Sequence, residues 1–153
     1  MNLTAARTPG DRVRLLVVPA LEALRLLRPG LLLDVGSGNG SPGLVLALAR
    51  ADVRAVLLEP RAKRWAFLRE AARAAGAAER VEVLRARHDA YEGTPAATVT
   101  LRALALPLPA LAPLVVPGGR LLVFGACPAS GGPFAPEEQA GIAPGLHVFR
   151  RTA

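Results

Sequence analysis

Short apolar runs recur along the 153-residue chain and alternate with stretches whose apolar positions return every three or four residues. The runs 31–35 and 53–58 are largely apolar, as strands covered on both faces of a parallel sheet must be, and 81–84, 97–101 and 120–124 read as a third, fourth and fifth strand. A last, short strand is expected at 146–149. Helical spacing fills the gaps. Pro42 suits the first turn of a helix that continues through Leu44 and Leu48. Residues 62–75 put Trp65, Leu68 and Ala72 on one face and end at Gly76, a C-terminal signal. Asp11 is placed to cap an early helix running toward Arg28, which Pro19 should kink and Pro29-Gly30 should stop. Strand, turn and helix in this order predict a doubly wound α/β sheet with helices on both faces.

Two stretches break the rhythm. The prolines at 107, 109 and 113 leave no room for a long regular helix between the fourth and fifth strands. Residues 128–136, rich in Gly and Pro, read as a mobile loop. The whole of 1–153 is expected to form one domain, with 1–29 as an N-terminal helical segment and 125–153 as loop plus terminal strand. No apolar run approaches the roughly 18 residues of a membrane span, and the first residues lack a signal-type apolar core, so a cytoplasmic location is expected. The single cysteine, Cys127, excludes an internal disulfide and a zinc site of usual cysteine count. It is expected to be an inert buried thiol, with attack on a pyrimidine as the other reading.

The candidate chemistry lies where the first strand ends. Asp34 is followed by Gly36, Gly38 and Gly40, which allow a sharp turn and close backbone approach to a ligand. The pattern acid-x-Gly-x-Gly-x-Gly is that of class I methyltransferases, Rossmann-like enzymes that use S-adenosyl-L-methionine (SAM). The overlapping Gly38-Asn39-Gly40-Ser41-Pro42-Gly43 also fits the dinucleotide fingerprint. Pro42 removes an amide that a pyrophosphate would want, and Asp34 favours the ammonium of SAM over a diphosphate. SAM is therefore the expected cofactor. Glu59, at the end of the second strand and followed by Pro60, is placed to take the hydroxyls of a ribose.

Charge adds a partner. Nineteen Lys plus Arg against twelve Asp plus Glu give +7, and every basic residue but Lys63 is arginine. Arginine suits phosphate and base recognition, so nucleic acid is a candidate partner; the other reading is that these arginines only solvate helices, as at Arg69 and Arg73. Trp65 and Phe67 are expected in the core or a pocket wall.

The run 34–43, then Glu59-Pro60-Arg61-Ala62-Lys63-Arg64 with Phe67-Leu68, Arg102-Ala103 after the fourth strand and Gly118-Gly119-Arg120 before the fifth, resemble the ribosomal small-subunit RNA methyltransferase G family. That family is also called glucose-inhibited division protein B. The resemblance implies methyl transfer from SAM to N7 of a guanine in 16S ribosomal RNA. It implies that Asp34, Gly36, Ser37, Gly38 and Gly40 hold the methionine end of SAM, and Glu59 with Pro60 the ribose. Arg87-His88-Asp89 would lie near the adenine. Arg102 would orient the base as the catalytic residue, with Arg61 and Arg64 also on the substrate side. Small ribosomal subunits or their RNA would be the partner, and no metal is implied. The chain departs from the family at Ser41, where an aromatic is usual, before Arg102, where an acid is usual, and at 124–125, where Lys-Gly is usual. A SAM-binding protein acting on a small molecule, or without catalysis, stays open. A basic path from Arg102 to Arg61 and Arg64 would favour RNA; an apolar pocket would favour a small molecule.

Overall fold

The computed structural model describes residues 7–153. Seven strands form one sheet in the order β3-β2-β1-β4-β5-β7-β6. Strands β1 (Leu32–Val35), β2 (Ala55–Leu58), β3 (Val81–Leu84), β4 (Ala96–Arg102) and β5 (Val115–Phe124) run parallel. Strand β7 (Leu146–Arg151) pairs antiparallel with β5, and β6 (Phe134–Pro136) with β7. The strand order reverses between β1 and β4, and ligands of open α/β sheets bind at the carboxyl ends of such a switch point.

Side-chain alternation divides the core. Leu32, Leu57 and Leu122 face α3 (Gly43–Ala49) and α4 (Ala62–Ala74), whereas Leu33, Leu58 and Val123 face α5 (Leu108–Leu111) and the 3₁₀ turn Ala112–Leu114. The doubly wound arrangement is as expected. The prolines restrict α5 to a single turn.

Three local features differ from the expectations. The stretch 128–136 contains β6, because Phe134 buries its ring in the second core layer and its neighbours join the sheet edge. In α4, Leu68 and Ala72 are buried and Trp65 is half-buried, but Phe67 is 55% exposed, since it turns away from that face. The N-terminal helix is capped by Thr8, not Asp11: Thr8 Oγ1 accepts the Asp11 amide and Asp11 accepts the Thr8 amide, forming a capping box. From that cap, α1 (Pro9–Arg12) passes through a π-helical turn (Val13–Val17) into α2 (Val18–Glu22) and a 3₁₀ turn (Ala23–Leu26). Pro19 lacks the N–H that would bond the carbonyl of Leu15, four residues back, so the helix is irregular just before it. The first six residues of the expected helical segment 1–29 lie outside the described residues. Among the described residues no helix is long and apolar enough to cross a membrane.

Candidate functional site

The chain leaves β1 into a loop in which Gly36, Gly38 and Gly40 have φ of +67°, +54° and +96°. L side chains avoid this region, which is why the alternate glycines are needed. Backbone bonds fold the loop back on the strands: the Ser37 amide donates to the Leu58 carbonyl at 2.9 Å, and the Gly40 amide to that of Ser37 at 2.7 Å. Glu59 closes it from β2. Its buried carboxylate accepts the Gly38 amide on Oε2 and the Arg61 amide on Oε1, each at 2.8 Å.

Above this turn lies a cavity of about 210 Å³. Gly36, Glu59, Pro60, Arg61, Arg64, Arg87 and His88 of the expected site line it, together with Val35, Ala86, Leu104 and Leu106. Its rim is basic. A Cβ on Gly38 would lie 3.7 Å from Arg64 Nη1, so the Arg64 guanidinium reaches back over the glycine loop. Arg87 forms a two-pronged pair with Asp89 at 3.2 and 3.3 Å, outside the cavity, which leaves Asp89 as a partner of Arg87.

The remaining expected residues lie in the loop or beneath it. Asp34 pairs in register with Thr100, on the face of β1 turned toward α3, and is 1% exposed. Thr100 Oγ1 donates to Asp34 Oδ1 at 2.6 Å, and Gly43 packs so closely that a Cβ there would fall 2.3 Å from that of Asp34. Burial raises the Asp34 pKa from 3.8 to about 6, against hydrogen bonds from Thr100, Ser37 and the Gly43 backbone and the charge of Arg102, which lower it. Asp34 thus shapes the loop from below. Gly38 and Gly40 act through their backbone, and Ser37 also through its side chain, with Oγ donating to the Asp34 carbonyl at 3.2 Å.

Arg102 differs most from its expected place. Thr98, Thr100 and Arg102 alternate along the same face of β4, so the Arg102 side chain passes under the N-terminal helices instead of into the cavity. Its Nη1 donates to the Leu15 carbonyl at 3.3 Å, to which Pro19, four residues on, has no N–H to offer. Its Nη2 donates to Ser41 Oγ at 3.2 Å, and Ser41 donates to the Leu16 carbonyl at 2.5 Å. The guanidinium stacks on Phe124 at 4.8 Å, and burial lowers its pKa. Arg102 therefore does not extend the basic rim made by Arg61, Arg64 and Arg87.

Leu104 is a site residue that the sequence did not reveal. Ala103 adopts φ +54°, rare for a residue with a Cβ, and turns the chain so that Leu104 Cδ1 lies 2.4 Å from where a Cβ on Gly36 would be. No spacing rule foresees a left-handed alanine. Cys127 is exposed, so the expectation of a buried thiol is overturned: it follows the turn at Gly125, past the end of β5, and lines a second cavity beside the first.

The fold and the sequence have known relatives. The crystal structure of an RNA methyltransferase from Salinibacter ruber in complex with S-adenosyl-L-homocysteine matches with a TM-score of 0.67 at 24% identity, covering 95% of this chain and 92% of that one. Ribosomal RNA small subunit methyltransferase G from Halorhodospira halophila is 42% identical over 127 residues, which are 80% of this chain and 60% of that protein. The enzyme of the same name from Leifsonia xyli is 47% identical over 103 residues, 65% of this chain and 49% of that one. The chain spans about half the length of the curated relatives it matches. The model of one family, rRNA small subunit methyltransferase G, matches residues 1–124, and with that breadth of agreement the chain belongs to this family.

Proposed function

We propose that the chain binds SAM in the cavity over Gly36 and directs its methyl group to N7 of a guanine in 16S ribosomal RNA of the small subunit, in the cytoplasm. The observation that carries the reading is the Glu59 carboxylate. It lies at the end of β2 on the wall of a cavity at the switch point, anchored by two backbone amides and still holding free lone pairs for ribose hydroxyls.

The residues present fit the cofactor. Pro60, Ala86 and His88 offer flat or small surfaces for an adenine, and Gly36 leaves the loop bare of side chain beneath the rest. The cavity of about 210 Å³ is below the roughly 300 Å³ where ligand pockets begin, so it encloses only part of SAM while Leu104 stays on Gly36. When bound, SAM supplies an activated methyl group. The acceptor N7 of guanine already has a free lone pair, so the chain must orient the base and need not deprotonate it. Arg61, Arg64 and Arg87 on the rim would hold RNA phosphates. Arg102 serves as a positioning residue, steadying the glycine loop through Ser41.

The test is transfer of labelled methyl from SAM to undermethylated small ribosomal subunits and to free 16S RNA, with the modified base mapped. Label at guanine N7 is expected. SAM binding without transfer to either RNA would overturn the acceptor and leave the cofactor.

A further inference from the structure

The segment between β4 and α5 joins a strained residue to an apolar side chain set over the glycine loop. Ala103 has φ +54°, in the left-handed region that residues with a Cβ rarely adopt, and its amide bonds the Phe124 carbonyl at 3.2 Å. A backbone held there persists only where its surroundings impose it, and such residues cluster at ligand clamps and switches. The turn seats Leu104: its Cγ, Cδ1 and Cδ2 all lie within 3.7 Å of the point where a Cβ on Gly36 would be. The leucine fills the volume that the glycine leaves open.

The seat is weakly tied. Leu104 is 39% exposed, and among the described residues the amides of Leu104, Ala105 and Leu106 donate to no protein acceptor. The chain is fixed again at Leu108, which is buried. A segment with few buried contacts and unpaired backbone opens at low cost. Leu104 also lines the second cavity, of about 820 Å³, so turning off Gly36 takes it into open space and not into packed side chains. With the leucine seated, the cavity over Gly36 holds about 210 Å³, under the roughly 300 Å³ at which ligand pockets begin. Room remains beside Glu59, Pro60 and His88, whereas the place above Gly36 is taken.

We propose that Leu104 is an internal competitor of the cofactor: seated on Gly36 it holds the place of the methionine end, and SAM binds only the conformer in which this side chain has turned away. This rests on the reading of the cavity as the SAM site. An equilibrium of this kind scales the apparent affinity by the fraction of open chain, so deleting the competing side chain tightens SAM by raising its association rate and leaves its dissociation rate unchanged. A leucine that served only as cavity wall would do the reverse, since its loss strips a contact from the bound cofactor and speeds release.

The test measures binding of SAM and of adenosine to the full chain by calorimetry, with the rates for SAM taken from surface plasmon resonance. Adenosine lacks the methionine end and fits beside the seated leucine. Leu104→Ala should bind SAM about threefold more tightly or better, through faster association, and should bind adenosine as the parent does. Ala103→Gly removes the strain of the left-handed turn, favours the seated leucine and should weaken SAM. Leu48→Ala, at an equally exposed leucine on α3, should change neither ligand. The proposal is overturned if Leu104→Ala binds SAM no more tightly than the parent, if adenosine tightens by the same factor as SAM, or if Ala103→Gly tightens SAM. SAM bound by the parent and no more tightly by Leu104→Ala removes the competitor and keeps the cofactor; SAM and adenosine bound by neither protein removes both.

Discussion

Glu59 grips the glycine loop through the amide of Gly38, 2.8 Å away, while its other oxygen holds the amide of Arg61. One carboxylate thus joins the loop after β1 to the turn before α4. Glu59→Gln keeps the size but turns an NH₂ group toward one of those amides, setting donor against donor. Its affinity for SAM should fall at least tenfold, about 1.4 kcal/mol, by calorimetry. Unchanged affinity would remove Glu59 from the cofactor site.

Asp34 sets a pH dependence. Its carboxyl keeps the proton up to about pH 6 in the folded chain and releases it near 3.8 when unfolded. A raised carboxyl pKa favours the fold below the unfolded value, and that contribution is lost as pH rises through the folded one. At neutral pH the ionised, buried group costs about 3 kcal/mol. Asp34→Asn should therefore lose less stability than the parent between about pH 4 and pH 7 in thermal melts. Parallel profiles for the two proteins would refute this.

Two glycines of the site should fail differently. A Cβ on Gly43 meets the Asp34 side chain at 2.3 to 2.5 Å, and that side chain is enclosed. Gly43→Ala should destabilise by about 1–3 kcal/mol or more. A Cβ on Gly36 meets the tip of Leu104, which is partly exposed and can move, although φ of +67° adds strain. Pairing Gly36→Ala with Leu104→Ala should recover part of the loss, whereas Gly43→Ala combined with Leu104→Ala should not; denaturant unfolding of the four variants decides it.

Arg102 binds the irregular N-terminal helix to the glycine loop, so its removal should show first in that helix. Arg102→Ala should speed proteolysis within the turn Val13–Val17 and cost about 1–3 kcal/mol, because the Leu15 carbonyl and the Ser41 hydroxyl lose their donor. Cleavage at the parent rate would show that the contact holds nothing.

Strands β1 and β2 were legible because each is short, apolar but for Asp34 and buried throughout, and the glycine loop because its φ values require the residues that mark it. Chain reversal at Gly36 and the place of Glu59 at a strand end follow from the same logic. The direction of Arg102 was hidden for a different reason. Whether a residue at a strand end faces the ligand or the layer beneath depends on which neighbours alternate with it. Here Thr98 and Thr100 carry Arg102 to the helical side, where its guanidinium meets the Leu15 carbonyl. Strand β6 was missed because its pairing with β7 rests on Phe134 reaching the core across the sheet edge, a long-range contact with no local periodicity.

Leu104 lines both cavities, and its tip lies where a Cβ on Gly36 would be. The one stretch of loop that glycine keeps bare is thus covered by a side chain from after β4, and whatever comes to rest on Gly36 must first turn that leucine aside.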